Sequence, residues 1–314
     1  MSSSISHSRR RIAGRILLAF AGAAMLLLTG APTAGAQPSV APEDSDFTLD
    51  GHDEIAARTA DGRLVIYPHS GTFDPVNPGA TFGGPVTINN GWNNADWIAT
   101  TNTGWEGRDV LAEVNGYISL YQHSRTWNPA DPLATLQSNT TRVGGGGWDN
   151  FEWKVLGGFD DLSGLDIVGR DRTDGHLYIF PTTVNRDGSL TVGEKRLFGR
   201  DFGGYDQFAA ADLNGDGASD IVARSGSKLY GFLTMAAANG PQASTNVITI
   251  SDGWEQSDTT VVKDIDSDGR PDLVSRLAAT GELVAFLNTS QNGTVSFTGR
   301  NELGPQWADD NPVI

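Results

Sequence analysis

Two nine-residue stretches place oxygen-bearing side chains at alternating positions: Asp212-Leu-Asn214-Gly-Asp216-Gly217-Ala218-Ser-Asp220 and Asp264-Ile-Asp266-Ser-Asp268-Gly269-Arg270-Pro-Asp272. Side-chain oxygens at positions 1, 3 and 5, a glycine at 6 for the sharp turn, a backbone carbonyl at 7 and an acid at 9 can wrap one hard cation. Calcium suits such a shell, because it accepts six to eight oxygens in flexible geometry whereas magnesium demands a stricter octahedron. The spacing predicts two Ca2+ sites. Their ligands would be Asp212, Asn214, Asp216, the Ala218 carbonyl and Asp220 in one, and Asp264, Asp266, Asp268, the Arg270 carbonyl and Asp272 in the other. The start matches an EF-hand loop, but the acid at position 12 and the flanking helices are missing; Asp220 and Asp272 open strands instead.

These loops belong to a larger repeat. The phrase after each loop recurs five times, as Asp53-Glu-Ile-Ala-Ala-Arg58, Asp109-Val-Leu-Ala-Glu-Val114, Asp166-Ile-Val-Gly-Arg170, Asp220-Ile-Val-Ala-Arg224 and Asp272-Leu-Val-Ser-Arg276. Each is followed by a turn residue pair with glycine and then by LVIYP, YISLYQ, HLYIFP, KLYGFL or ELVAFL. Two short apolar runs joined by such a turn make a β-hairpin. A second phrase precedes each hairpin: Gly91-Trp92, Gly147-Trp148, Gly204-Tyr205, Gly253-Trp254 and Gln306-Trp307. Further strands flank it, giving four short strands per unit of roughly 50 residues with no helical pattern, the mark of a propeller blade. The expected fold is therefore all-β, a five-bladed propeller of four-stranded antiparallel blades over 46–314. The repeats are 46–92, 93–148, 149–205, 206–254 and 255–307, and a strand within 308–314 pairs back onto the first hairpin. An open solenoid is the rival, disfavoured because the two chain ends complement each other.

In the other three repeats the loop is read as degenerate. Asp46-Phe-Thr-Leu-Asp50-Gly51-His-Asp53 has acids at unsuitable intervals, Thr103-Gly-Trp-Glu106-Gly107-Arg-Asp109 has almost no ligands, and Gly158-Phe-Asp160-Asp161-Leu-Ser163-Gly164-Leu-Asp166 is shortened. No tight calcium site is expected there.

The phrases DLNGDGASDIVAR and DIDSDGRPDLVSR resemble FG-GAP or VCBS repeats of integrin-like and secreted bacterial propellers, and the five-fold count with its GW phrases is similar to tachylectin-like five-bladed lectins. The resemblance covers 46–314 and implies a secreted binding module with sugar sites between neighbouring blades. Trp92, Trp148, Tyr205, Trp254 and Trp307, one per blade, are candidate sugar-stacking residues, since aromatic faces stack on sugar C–H faces; packing between twisted blades is the favoured account of the position itself. His69 and His123, in the parallel stretches Tyr67-Pro-His69-Ser70 and Tyr121-Gln-His123-Ser124, are further ligand candidates, although shared ancestry of two neighbouring repeats is the favoured explanation.

Composition narrows the function classes. The 314 residues contain no cysteine, which removes disulfide scaffolds, zinc ribbons and thiol nucleophiles. With 38 acidic against 22 basic residues, the net charge of -16 argues against nucleic-acid binding and against an anionic membrane surface. Residues 1–36 have arginines at 9, 10, 11 and 15, an apolar stretch Ile16 to Leu28 and small residues before Gln37. That is the layout of an export signal cleaved after Ala36, by a Sec or twin-arginine route, followed by a flexible leader at 37–45. Loss of those arginines leaves 18 basic against 38 acidic residues, a net -20. No HExxH, GxSxG or P-loop occurs. The expectation is thus a secreted, calcium-binding, non-enzymatic propeller that binds glycans or cell-surface polysaccharide multivalently and inserts in no membrane. A protein-interaction scaffold with a secreted partner is the alternative, and a glycosidase or lyase a lesser one.

Overall fold

In the computed structural model the described residues are 45–103, 108–160, 165–237, 240–304, 307 and 310–312. The export signal and nearly all of the leader lie outside them, as do Glu106, Gly107, Asp161, Ser163, Gly164 and Gln306. Among the described residues no helix is long and apolar enough to cross a membrane.

The fold is all-β, a five-bladed propeller of four-stranded antiparallel sheets. Blade 1 runs outward as Asp310–Pro312, Ile55–Thr59, Arg63–Tyr67 and Val86–Asn90. Blade 2 is Trp97–Thr101, Asp109–Val114, Tyr117–His123 and Leu136–Val143; blade 3 is Phe151–Gly157, Asp166–Asp171, Leu177–Phe180 and Arg196–Gly199. Blade 4 is Gln207–Ala211, Asp220–Ser225, Lys228–Met235 and Gln242–Asp252, and blade 5 is Ser257–Lys263, Asp272–Leu277, Leu283–Asn288 and Phe297–Gly304. The closing strand pairs antiparallel with the first hairpin, Arg58 opposite Asn311. Pairing there removes two sheet edges that would otherwise be open.

No single core exists, because apolar residues divide among five joints between neighbouring blades. Successive residues of one strand point to opposite faces, so Ile55 and Ala57 enter the joint with blade 5 while Ala56 enters the joint with blade 2. Both faces of the inner strands are buried, which explains why IVAR-type phrases are continuously apolar instead of alternating. The joint between blades 4 and 5 is the leanest. Among the described residues it has eight buried apolar side chains where each of the others has eleven or twelve, and it has five half-buried ones at its rim.

Arginine clasps tie successive blades. Arg58 Nη1 donates to Ala95 O at 2.5 Å, Arg170 Nη1 to Phe202 O at 2.9 Å and Arg224 Nη1 to Trp254 O at 3.0 Å. Arg276 Nη1 reaches Asp310 O. Each arginine lies on the second strand of one blade and satisfies a carbonyl of the turn that leads into the next or, for Arg276, of the first residue of the strand after it.

Candidate functional site

The acidic loops come first. In the fourth repeat Asp212 accepts backbone N–H groups of Gly215, Asp216 and Gly217, and Asp216 accepts that of Ala218 at 3.0 Å. In the fifth, Asp264 accepts from Asp268 and Gly269, and Asp268 from Arg270 at 2.9 Å. Gly217 and Gly269, with φ of +91° and +83°, make the turn that brings these oxygens inward. One carboxylate oxygen each of Asp264, Asp266 and Asp268 lies within 4.8 Å of the others, a donor set of hard oxygens that fits calcium. Asn214 shares the fourth loop, its amide bonded to Asp216.

Asp220 and Asp272 do a second job. Asp220 is buried; its Oδ2 accepts Leu213 N–H and its Oδ1 accepts Thr234 N–H at 2.7 Å, tying the loop to the third strand. Asp272 repeats this with Ile265 and Asn288. Burial pushes both carboxyls up to about 7. Burial of an acid favours its neutral form, so a nearby cation would restore the charged one. Asp166 makes the same two bonds, to Phe159 and Thr182, in a loop without the ligand set.

The first loop requires a correction of register. Its strand-opening acid is Glu54, not Asp53: Glu54 is fully buried and its carboxylate accepts the N–H groups of Phe47 and Thr48. Counting back from Glu54 puts Asp46 at position 1, Thr48 at 3, Asp50 at 5, Gly51 at 6 and His52 at 7. The intervals are the standard ones after all. Asp46 accepts from Asp50 and Gly51, and Asp50 from His52, all at 3.0 Å, as their counterparts do in the fourth and fifth loops. Oxygens of Asp46, Asp50 and Glu54 also lie within 4.8 Å of one another. Burial raises the Glu54 carboxyl to about 8.

The repeated aromatics are buried in the joints. Each packs on an aromatic of the third strand of the next blade: Trp92 on Tyr121 (ring centroids 4.7 Å), Trp148 on Phe180 (4.6 Å), Trp254 on Phe286 (5.2 Å) and Trp307 on Tyr67 (3.6 Å). In the joint between blades 3 and 4 the equivalent is Phe202 on Phe232 (4.7 Å), not Tyr205. Trp92, Trp148, Phe202 and Trp254 all open one-turn 3-10 helices whose preceding residue has positive φ. Asp201, at φ +64°, takes the place that glycine has elsewhere, which hides the phrase from a search for glycine followed by an aromatic. Tyr205 closes that turn and packs edge-on against Phe232. The partner aromatics Tyr67, Tyr121, Phe180, Phe232 and Phe286 give the sequence no GW-like signal, although each lies in the second apolar run of its hairpin.

His69 and His123 are buried and reach across joints. His69 Nε2 lies 3.0 Å from Ile265 O in the fifth acidic loop, and His123 Nε2 lies 3.1 Å from Phe47 O in the first. Their Nδ1 atoms accept Gly71 and Arg125 N–H groups, so both rings are neutral and donate through Nε2–H. Burial holds both below the ordinary histidine pKa.

A cavity of ≈ 190 Å³ opens between blades 4 and 5. Trp254, Phe286 and Phe297 give it aromatic walls, and Thr298 and Arg300 line it with hydroxyl and guanidinium groups, while the Ser251 hydroxyl donates to Asp252 O. Gly299 and Arg300 together oppose Phe286, a bulge that breaks the ladder between the Ala285–Asn301 and Leu287–Thr298 pairs. Bulges re-aim side chains beside sites. Arg300 pairs only loosely, Nη2 lying 3.9 Å from both Glu282 and Glu302.

The architecture is that of a five-bladed propeller with acidic turns at its joints. No family model matches the chain and no curated protein matches it, so the FG-GAP and VCBS resemblance rests on the loop phrases alone. One solved structure with a similar fold is a lectin of Agrocybe aegerita, described for specific recognition of non-reducing terminal N-acetylglucosamine. It is 17% identical, with a TM-score of 0.45 over 86% of this chain and 68% of the lectin.

Proposed function

We propose that this protein is a secreted, calcium-stabilised propeller that binds carbohydrate at the joints between its blades. The observation that carries the reading is the cavity between blades 4 and 5, where aromatic walls stand beside side chains that donate hydrogen bonds. Sugars present an apolar C–H face and a rim of hydroxyls, and a cleft of this composition matches both. Calcium enters as a structural ion. The fourth and fifth loops supply it with Asp212, Asn214, Asp216 and Asp220, and with Asp264, Asp266, Asp268 and Asp272; the reading extends to Asp46, Thr48, Asp50 and Glu54. The ion would offset carboxylates that burial otherwise makes costly.

The loops also sit at joints. His69 bonds the fifth loop and His123 the first, while Ser219 of the fourth exchanges hydrogen bonds with Gly158 of blade 3. Ordering the loops therefore stiffens the ring that holds the clefts. A glycan array and polysaccharide pull-down at millimolar calcium, repeated with chelator, tests the reading: binding to a defined glycan supports it, and absence of binding to every glycan overturns it. Sequencing the N-terminus of the protein recovered from culture medium checks the export signal, with Gln37 the expected first residue.

A further inference from the structure

Four of the five joints are covered on their outer side. Pro78–Ala80 lies on Phe297–Gly304 over the joint between blades 5 and 1, and Pro132–Ala134 lies on Val86–Asn90 between blades 1 and 2. Between blades 2 and 3 the extra hairpin of Thr182–Val184 and Leu190–Val192 lies on Leu136–Val143, burying Leu190 beside Trp148. Between blades 3 and 4 the long strand Gln242–Asp252 meets Arg196–Gly199. The corresponding connection of blade 5 instead folds onto itself: Thr289 N–H donates to Ser296 O at 2.8 Å and Gln291 N–H to Thr294 O at 3.1 Å. From it Val295 alone among the described residues packs against the core of the joint between blades 4 and 5, and the cavity lies there beside Phe286 and Phe297.

We infer that this open joint is the one glycan site of the chain, and that it accepts a single uncharged sugar ring. The inference rests on the carbohydrate reading above and sharpens it from many sites to one. Size sets the first limit, since ≈ 190 Å³ falls below the ~300–1,000 Å³ of clefts that take larger ligands. Charge sets the second. An anionic sugar drawn to Arg300 meets Glu282 and Glu302 beside it, in a chain of net charge -16, while a cationic sugar meets the guanidinium itself. A neutral ring pays neither penalty. Among the described residues the Arg300 guanidinium makes no hydrogen bond to protein, so its N–H groups are available to ring hydroxyls; Phe297 and Phe286, half-buried at the rim, offer the apolar face.

The test is native mass spectrometry and calorimetry of the purified chain in calcium with neutral cello-, xylo-, manno- and chito-oligosaccharides, and with polygalacturonate and heparin as polyanions. The expected result is one neutral oligosaccharide per chain, weakened about tenfold or more by Arg300→Ala and by Phe297→Ala. Trp127→Ala, at the covered joint between blades 1 and 2, should leave it unchanged. Circular dichroism verifies that each variant is folded. Two or more ligands per chain, binding indifferent to both cavity variants, or binding confined to the polyanions overturns this inference while leaving the carbohydrate reading intact. Absence of binding by any glycan overturns both.

Discussion

Lys154 Nζ lies 2.7 Å from Glu113 Oε2, and both side chains are almost wholly buried in the joint between blades 2 and 3. Glu113 stands where Arg58, Arg170, Arg224 and Arg276 stand in the other repeats, and it cannot donate to the turn of the next blade. Lys154, on that next blade, does so instead by bonding Phe151 O. The clasp has kept its chemistry and reversed its direction. Burial lowers the pKa of Lys154, with the Glu113 hydrogen bond opposing the shift.

Removing one partner strands the other charge in the joint. Glu113→Gln or Lys154→Met should each destabilise the protein by about 3–5 kcal/mol, read by urea denaturation. Glu113→Arg combined with Lys154→Ser rebuilds the arrangement of the other joints and should recover much of that loss. A double variant no more stable than the single ones would refute the equivalence.

The register at the joint between blades 3 and 4 can be tested by truncation. Phe202→Ala should cost about 3–5 kcal/mol, as expected for emptying a fully packed aromatic site, whereas Tyr205→Phe should change thermal stability by less than about 1 kcal/mol. Comparable losses for the two would return the repeated position to Tyr205.

Chelation should lower the melting temperature and added calcium restore it, with about 2.7 kcal/mol gained per site at a hundredfold excess over Kd. Calorimetric titration should lose one ion in each of Asp212→Asn, Asp264→Asn and Asp46→Asn. A stoichiometry unaffected by Asp46→Asn would leave the first loop as a hydrogen-bonded turn only.

His123 gives a pH dependence of definite sign. Burial depresses its folded pKa, so its neutral form adds stability above the ordinary histidine pKa, and that contribution is lost as pH falls below it. Protonation removes the acceptor that Nδ1 presents to Arg125 N–H. Thermal melts from pH 7 down to 5 should show a falling midpoint, with a shallower fall in His123→Gln. An identical slope in the variant would assign the acid sensitivity to other groups.

The blade count, the four-strand unit and the ring closure were legible because a propeller repeats its local instructions: an apolar run, a glycine turn, another run. The acidic turns of the fourth and fifth repeats were legible for the same reason, their side chains lying within nine consecutive residues. The slips occurred where one residue stood in for another under a constraint invisible in the chain. Asp53 precedes an apolar run just as Asp220 does, yet Glu54, with its longer side chain, makes the buried bonds. Gly204-Tyr205 looks like Gly91-Trp92, yet Asp201 adopts the left-handed backbone and Phe202 fills the joint.

The sequence by itself determined the secondary structure and its period, since strand alternation and turn chemistry act over a few residues. Only the tertiary structure decided what each repeated side chain does. A joint is built from two blades some 50 residues apart, and whether an aromatic is walled in or left beside an open cleft depends on the connection that lies across it. Trp148 and Trp254 occupy equivalent places in their repeats; the hairpin bearing Leu190 packs beside one, and the turn at Thr289 to Ser296 brings Val295 to the joint of the other but leaves Trp254 lining a cavity.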